Sequence, residues 1–283
     1  MHVITQKDVE NVIQKRIETG HKGTFGRVSV VGGNANMGGA AIMAVQAAIK
    51  AGAGLTTCIS HKANLTALHA RIPEAMFIDY FDNDALCKSV SQSNVVVVGP
   101  GLGTDETAKQ IFSSVLKNAN QTLIIDGSAI TMLAEDDQLK KMTPSAKIIF
   151  TPHEIEWQRL SGLSQAEQTP AKNAAKVFEL NADVVLKKHG TEIYHLSGKC
   201  SKLTIGGPYM STGGMGDTLT GICAAFLAQF KGDQDQILDA AVYAHSDIAD
   251  LLAKERYVVL PSEIADNLQK YMKHRCNGSD FSK

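Results

Sequence analysis

Residues 94–103, NVVVVGPGLG, place four consecutive valines directly before a glycine-rich turn. A strand that is covered on both faces is apolar at every position, whereas a strand with one wet face alternates. The stretch therefore predicts a central strand of a parallel sheet, with a loop at its carboxyl end. Parallel neighbours need crossover connections of a dozen or more residues, so helices are expected between the strands.

Five more segments along the chain combine a short apolar run with turn-forming or polar residues. They are RVSVVGG (27–33), GLTTCIS (54–60), TLIIDG (122–127), AKIIFTP (146–152) and DVVLKKHG (183–190). Helical stretches separate several of them, among them MGGAAIMAVQAAIKAG (37–52), DETAKQIFSSVLKNA (105–119) and TPAKNAAKVFELNA (169–182). This alternation predicts an α/β fold with a doubly wound, mostly parallel sheet and helices on both faces.

The last third of the chain has a different pattern. Residues 190–207 predict a β-hairpin, and residues 217–230, DTLTGICAAFLAQF, predict an amphipathic helix whose first turn meets a glycine loop. Residues 261–273 predict a closing helix. A helix is also expected at the amino terminus, over residues 1–20, and the polar end, residues 277–283, is expected to fray.

Length, composition and charge favour one cytoplasmic domain, residues 1–283. A chain of 283 residues with 44% hydrophobic content lies near the upper size for a single core.

The formal charge of −1 gives no field that would draw the protein to nucleic acid or to a membrane. The polar start lacks the apolar stretch of a signal peptide. The five cysteines are scattered without metal-ligand spacing, which argues against a disulfide framework and a zinc site.

Glycines and polar residues follow five of the predicted strands. Ligands of open parallel sheets bind beyond the carboxyl ends of the strands, so these residues predict the position of the site. The segments are GGNANMGG (32–39), GPGLG (99–103), Asp126-Gly127, TPHE (151–154) and KKHGT (187–191).

The sequence STGGMGDTLTG (211–221) is the strongest single motif. Its glycines let backbone N–H groups converge, and the helix that follows adds a partial positive charge at its first turn, so together they predict a phosphate site. Asp217 lies at the start of that helix. It either caps the helix or accepts the proton of a hydroxyl group that attacks phosphorus, and the nearby anion site favours the second role.

Two common nucleotide-binding classes do not fit. The segment GGNANMGG is not the GxGxxG dinucleotide fingerprint, and no acidic residue ends the next strand, which disfavours a redox Rossmann site. The GxxxxGK[ST] phosphate loop is not present either. Any phosphate is therefore expected at the glycine turn before Asp217.

Taken in order, seven motifs resemble those of the bacterial ADP- or ATP-dependent NAD(P)H-hydrate dehydratases, which belong to the ribokinase-like superfamily. The resemblance covers about residues 20–271. GGxGD alone is common to that superfamily, whereas the combination with HKGTFG and TPHE is much narrower. The motifs are GTFG (23–26), GGNANMGGAAIMA (32–44), GPGLG (99–103), the aspartate of LIIDG (123–127), TPHE (151–154), VVLKKHGT (184–191) and GGMGDTLTG (213–221).

The resemblance implies a metabolite-repair reaction. The terminal phosphoryl group of ADP or ATP would be placed on the ring hydroxyl of hydrated NADH or NADPH, and phosphate would then leave to regenerate the dinucleotide. Mg²⁺ is expected to neutralise the transferring group. No epimerase-like domain precedes the motifs, so the chain resembles the stand-alone dehydratase, with a functional link to an NAD(P)HX epimerase.

The same resemblance implies roles for individual residues. Asp217 matches the catalytic base of the family and also contacts the substrate. The positions that match substrate-binding residues are Ala40, Gly101 and His153. The positions that match or adjoin nucleotide-binding residues are Lys187, Lys188, His189, Gly190, Thr191, Gly213, Gly214, Met215 and Gly216.

Two positions depart from the family pattern. Glu154-Ile155 stands where Pro-Gly is usual, and Met215 stands where threonine is usual in GGTGD. Met215 removes a hydroxyl group from the anion site but keeps every backbone N–H. We therefore expect it to change affinity more than activity.

Several alternatives stay open on the sequence. GGMGD with Asp217 also suits a small-molecule kinase acting on a thiazole, pyrimidine or sugar alcohol. A nucleotide-binding module that senses or scaffolds would use Asp217 only as a helix cap. Asp126 either holds a metal ion indirectly or closes the turn at Gly127, and the metal ligands stay unassigned. The alanine-rich helix at 37–52 is compatible with a homo-oligomer.

Overall fold

A computed structural model describes residues 1–276 of the chain, and within them ten strands form one sheet. The spatial order is β1-β10-β9-β8-β7-β6-β5-β2-β3-β4. The strands are β1 (His2–Val3), β2 (Arg27–Val31), β3 (Leu55–Ser60), β4 (Met76–Asp79), β5 (Val95–Val98), β6 (Thr122–Ile125), β7 (Lys147–Phe150), β8 (Ala182–Leu186), β9 (Glu192–Tyr194) and β10 (Cys200–Lys202). Only β9 runs antiparallel to its neighbours β8 and β10.

Helices cover both faces of the sheet. One face carries α1, α2, α3, α10, α11 and α12, and the other carries α4 to α9. Their bounds are α1 (Gln6–Val12), α2 (Gly38–Lys50), α3 (Leu65–Arg71), α4 (Asn83–Gln92), α5 (Glu106–Asn118), α6 (Gly127–Glu135), α7 (Asp137–Lys140), α8 (Glu154–Ser161), α9 (Pro170–Leu180), α10 (Met215–Gln229), α11 (Gln234–Ala253) and α12 (Pro261–Arg275).

Strand β5 has the predicted central position. Val95 and Val97 point into the core on one face of the sheet, and Val96 and Val98 point into the core on the other. Each is at most 1% exposed. The chain builds β2, β3 and β4 on one side, then returns to β5 on the other side of β2 and continues through β8. The direction of winding therefore reverses between β2 and β5, and the doubly wound fold is confirmed.

The helix predicted over residues 1–20 is shorter than expected. Helix α1 ends at Val12, and the backbone at Ile13 is extended. Beyond that point Ile17 is 59% exposed, so a longer helix would bury no further apolar surface. Instead the Arg16 guanidinium donates a hydrogen bond to the carbonyl oxygen of Gly52 and lies 3.9 Å from the centroid of the Phe25 ring. The predicted frayed tail, residues 277–283, lies outside the described residues.

Helix α10 differs from the predicted amphipathic helix because it is buried on all sides. Residues 218–228 are buried without interruption, since α10 lies between α2, α11 and the sheet. A Cβ atom at Gly221 would overlap the carbonyl oxygen of Ala44, so the two helix backbones are in close contact.

Helix α11 and the edge strand β4 have no counterpart among the elements predicted from the sequence. Within residues 1–276, no helix has the length and apolar character needed to cross a bilayer.

A buried polar network ties the β9–β10 hairpin to α11. The His195 ring lies with Nε2 2.9 Å from Oδ1 of Asp239 and Nδ1 3.5 Å from Oδ1 of Asp235. Ser201 donates a hydrogen bond of 2.6 Å to the other oxygen of Asp239. Burial lowers the pKa of His195, but the hydrogen bond and negative charge of Asp239 outweigh it, and the net pKa is raised. The other charged residues of the network are Asp183, Lys147, Lys199 and Asp233.

This network predicts a stability that depends on pH. Because the folded-state pKa of His195 is raised, its stabilisation is complete below the unfolded value near 6.5 and is lost as pH rises through the folded pKa. Asp239→Asn should lower the free energy of unfolding by about 1.5 to 3 kcal/mol at pH 6. The difference from the wild type should shrink as pH rises above neutrality. Urea unfolding from pH 5.5 to 8.5 measures it, and a difference that stays constant with pH would contradict this account.

Candidate active site

The loops after β2, β5 and β6 meet where the winding reverses. A Cβ atom at Gly99 would overlap the carbonyl oxygen of Asp126, so the loop after β5 lies directly against the end of β6. A Cβ atom at Gly101 would overlap the carbonyl oxygen of Met37 and come within 3.0 Å of the Cβ atom of Ala40. Ala40, in the first turn of α2, and Gly101, in the loop that follows β5, are therefore neighbours.

The glycine turn leads directly into α10, as the sequence predicts. Gly214 has a φ of +93°, in the left-handed region, and Met215 begins the helix. A Cβ atom at Gly214 would overlap Cε of Met43, so this turn also contacts α2. By contrast, Gly213 is exposed, and a Cβ atom there would have open space around it. The first N–H groups of a helix have no intrahelical partner, so the turn offers donors at its exposed end.

Asp217 lies in the first turn of α10. Burial and the negative charge of Asp126 raise the pKa of Asp217 to about 6, against a smaller opposing effect of Lys187. A carboxyl group with this pKa is mostly ionised at neutral pH and is more basic than an ordinary aspartate. It is therefore suited to accept a proton from a hydroxyl group.

An ion pair between the partly buried Lys187 and the buried Asp126 lies beside Asp217. Nζ of Lys187 is 2.7 Å from Oδ1 of Asp126, and Thr151 donates a hydrogen bond of 2.8 Å to the same oxygen. Burial lowers the pKa of Lys187, but the charges of Asp126 and Glu156 outweigh it, so the net pKa is raised and the group is an ammonium ion. The same Nζ would be 3.0 Å from a Cβ atom at Gly216. The positive charge therefore lies against the first turn of α10.

His153 has a structural role that the sequence left open. The ring atom Nδ1 of His153 accepts hydrogen bonds from the backbone N–H groups of Ile155 and Glu156. The backbone N–H of His153 donates a hydrogen bond of 2.8 Å to Oε2 of Glu156. The residue is therefore the N-cap of α8. Its backbone also pairs with that of Lys187, which joins the loop after β7 to the loop after β8.

A cavity of about 680 Å³ opens beside the ion pair. Its volume lies within the range of small-molecule sites, about 300–1,000 Å³. It collects eight of the predicted site residues, namely His153, Lys187, Lys188, His189, Gly190, Thr191, Met215 and Gly216. The remaining five do not line it, namely Ala40, Gly101, Gly213, Gly214 and Asp217. The predicted residues thus fall into two groups, and the first turn of α10 contributes to both, Met215 and Gly216 to the first and Asp217 to the second.

His245 of α11 also lies at the site, although no sequence pattern predicts it. Its ring is 3% exposed and lines the cavity, and Nε2 has no hydrogen-bond partner among the described residues. Burial lowers the pKa of His245 to about 4, so the imidazole is neutral at pH 7. Glu156, whose charge acts on Lys187, was also missed. No local motif marks either residue, because each reaches the site only through the packing of its helix.

The departures from the family pattern lie in different environments. Met215 lines the cavity and also packs against the core. Glu154 and Ile155 are exposed at the start of α8, and Ile155 is 51% exposed. Neither of these two lines the cavity.

Comparisons with known proteins agree with this geometry. The ADP-dependent (S)-NAD(P)H-hydrate dehydratase of Lactiplantibacillus plantarum is 46% identical over 97% of this chain and 98% of its own length. A ribokinase-like superfamily protein of Enterococcus faecalis has a crystal structure that superposes with a TM-score of 0.92, at 45% identity, over 97% of this chain and 96% of its own.

A second solved structure is that of the ADP/ATP-dependent NAD(P)H-hydrate dehydratase of Bacillus subtilis, co-crystallised with ATP and Mg²⁺. It superposes with a TM-score of 0.84, at 27% identity, over 97% of this chain and 98% of its own. The family model described as NAD(P)H-hydrate dehydratase matches residues 28–270. The fold is therefore ribokinase-like, and the chain belongs to the NAD(P)H-hydrate dehydratase family.

Proposed function

We propose that the protein dehydrates hydrated NADH and NADPH with ADP or ATP as the phosphoryl donor. The observation that carries the proposal is the arrangement around the first turn of α10. There the N–H groups of the glycine turn, the Lys187 ammonium and the basic carboxylate of Asp217 lie side by side. Relatives that share most of this chain are named as ADP-dependent NAD(P)H-hydrate dehydratases, which supports ADP as the donor.

The cavity beside Lys187 is the proposed nucleotide site. Backbone and side chains of residues 187–191 line one wall, and Met215 and Gly216 line the wall formed by α10. Gly213 and Gly214 complete the turn that would hold the terminal phosphate through backbone N–H groups. Lys187 adds a fixed positive charge at the same end, which balances the charge that a polyphosphate brings.

The hydrated nicotinamide ring would lie on the other side of Asp217, against Ala40 and Gly101. Gly101 and Ala40 are in contact, and the loop of Gly101 reaches Asp126 through Gly99. His153 would contact the substrate at the border between the two groups of residues, since its ring is half exposed while it caps α8. In this proposed arrangement the attacking hydroxyl would lie between the carboxylate of Asp217 and the terminal phosphate.

The chemistry follows from this placement. The ring hydroxyl oxygen attacks the terminal phosphorus, Asp217 accepts its proton, and the phosphoanhydride bond to AMP or ADP breaks. The carbon–oxygen bond then breaks as phosphate leaves, and the neighbouring carbon loses a proton to restore the ring double bond. Hydroxide is a poor leaving group and phosphate a good one, which explains why a phosphoanhydride is consumed.

The carboxylate of Asp126, which lies near Asp217, is a suitable ligand for Mg²⁺. This ion is bound through one or two carboxylates together with phosphate oxygens of the substrate. Asp126 is buried, and its charge acts on both Asp217 and Lys187, so it is the carboxylate that would hold the ion, directly or through water. The bound ion would neutralise charge on the transferring phosphoryl group.

A homo-oligomer, the link to an epimerase and the cytoplasmic location stay predictions.

Replacement of Asp217 tests the proposed base. Asp217→Asn keeps the shape of the side chain but cannot accept the proton, so kcat for NADH recovery should fall by about 10²- to 10⁴-fold. The Kd for ADP should change by less than about threefold, because the backbone donors remain. Recovery of the NADH absorbance from its hydrate with ADP and Mg²⁺ measures the rate, with Asp137→Asn, an exposed aspartate on α7, as the control.

Two outcomes would contradict the proposal. Unchanged turnover in Asp217→Asn would leave the residue as a helix cap only, as in a nucleotide-binding scaffold. A stable phosphorylated product, detected by mass spectrometry in place of free phosphate, would favour a small-molecule kinase.

Replacement of Lys187 separates its structural and binding roles. Lys187→Met should lower the free energy of unfolding by about 3 to 5 kcal/mol, because it leaves the Asp126 carboxylate buried without its partner. The added Asp126→Asn should restore most of the stability but not the affinity for ADP. Urea unfolding and ADP titration without Mg²⁺, where the proposed ion ligand Asp126 plays no part, measure the two effects, with Lys172→Met, an exposed lysine on α9, as the control. Recovery of both properties in the double variant would show that Lys187 does not contact nucleotide.

A further inference from the structure

A second cavity, of about 240 Å³, opens at the same edge of the sheet but on the far side of the reactive centre. It lies among the loops that follow β2, β3, β4 and β5. Its volume is below the range of about 300–1,000 Å³ typical of whole ligands, so it suits one ring system of a longer molecule. The residues that line it are Asn34, Ala35, Asn36, His61, Tyr80, Phe81, Leu102, Asp105, Thr107, Ala108 and Ile111.

Three aromatic rings form one wall of this cavity. The centroids of Tyr80 and Phe81 are 4.9 Å apart, and those of His61 and Phe81 are 5.9 Å apart, both in edge-on arrangements. Tyr80 is 6% exposed, whereas Phe81 is 61% exposed. A large apolar side chain left exposed beside a cavity is a candidate contact for a ligand, and this ring is held in place by its two neighbours.

The cavity adjoins the loop of Gly101, which belongs to the proposed substrate side of the active site. Asn34 donates a backbone hydrogen bond of 2.7 Å to the carbonyl oxygen of Gly101. Nδ2 of Asn34 would be 3.0 Å from a Cβ atom at Gly103. Asn34 therefore lines the cavity and also contacts the loop of Gly101, which in turn contacts Ala40. Asp126 follows β6 and His61 follows β3, so about three strand spacings, roughly 14 Å, separate the two ends of this path.

The polar groups of the cavity suit an uncharged heterocyclic base. Nδ1 of His61 accepts a hydrogen bond from the backbone N–H of Ala63, so in the neutral ring Nε2 carries the proton and can donate. Asp105 caps α5 by accepting a hydrogen bond from the backbone N–H of Ala108 with Oδ1. Its carboxylate also lines the cavity, which favours a ligand with N–H or O–H donors and disfavours a phosphate group. A purine with an exocyclic amino group offers both the acceptors and the donors that this wall requires.

We propose that this cavity binds the adenine ring of the hydrated dinucleotide, with Phe81 as the stacking surface. The inference rests on the proposed function and adds a specificity-determining site to it. The nicotinamide end lies at Asp217, the middle of the molecule passes the loop of Gly101, and the adenine end reaches His61, Tyr80 and Phe81. ADP occupies the other cavity, beside Lys187, so the two adenine rings bind on opposite sides of the reactive centre.

Shortened substrate and a single substitution test the proposal together. The substrates are hydrated NADH and hydrated reduced nicotinamide mononucleotide, which lacks the adenosine half. Wild-type protein should have a KM about tenfold lower for the dinucleotide, as expected for one stacked base. Phe81→Ala should raise that KM about tenfold and leave three quantities unchanged: kcat, the KM for ADP and the KM for the mononucleotide. Phe81→Trp should keep the wild-type KM.

The control is Phe178→Ala, a phenylalanine on α9 that is 55% exposed and lines neither cavity. An unchanged KM for the dinucleotide in Phe81→Ala, or an equal rise for both substrates, would overturn this inference while the proposed function stands. A rise in the KM for ADP instead would assign the ring to the nucleotide and also overturn it. Absence of turnover of both substrates by the wild type would overturn the proposed function, and this inference with it.

Discussion

The ion pair between Lys187 and Asp126 is the interaction on which the site depends. Asp126 is 3% exposed, and without a partner its carboxylate would carry a large desolvation cost. The pair holds the Lys187 ammonium group against Gly216, in the first turn of α10. The charge of the ammonium group and the partial positive charge of the helix amino terminus therefore act at the same position. The negative charge of Asp126 also raises the pKa of Asp217. The ion pair therefore supplies a cation that can bind phosphate, and it makes the neighbouring carboxylate of Asp217 more basic.

The position of α10 fixes the other half of the site. The close approach of Gly221 to Ala44 and of Gly214 to Met43 places the first turn of α10 next to the first turn of α2. Because residues 218–228 of α10 are buried on all sides, the helix has little freedom to move relative to the sheet. The backbone donors of the glycine turn are thus oriented before any ligand arrives, which is the arrangement that stabilises developing charge most effectively. The loops of Gly101 and Ala40 complete the opposite wall.

Local patterns in the sequence were sufficient to predict much of the fold. The strands β2, β3, β5, β6, β7 and β8 correspond to apolar runs, and the loops after them carry the residues that meet at the site. The helix at the amino terminus was too long in the prediction, because apolar spacing up to Ile13 does not show where burial ends. The burial of α10 on every side, and the contribution of α11, depend on which helices pack together, and that information is not local.

The site residues show the same division. Lys187, Gly216 and Asp217 follow strands or begin a helix, where position alone predicts proximity to a ligand. His245 and Phe81 carry no motif, and only the packing of α11 and the loop after β4 brings them to their cavities. The role of Asp126 was left open because an aspartate before a glycine also suits a simple turn. Its pairing with Lys187 becomes visible only when β6 and β8 are placed in one sheet.

In the proposed mechanism the ring hydroxyl of the substrate takes the phosphoryl group and leaves as part of phosphate. Hydrated NADH labelled with ¹⁸O at that hydroxyl, incubated with ADP, Mg²⁺ and the pure protein, tests the claim most directly. We expect the label to appear in the released inorganic phosphate, one ¹⁸O atom for each NADH formed. Label found in water, with unlabelled phosphate, would contradict it, because the hydroxyl would then have left without ever bonding to phosphorus.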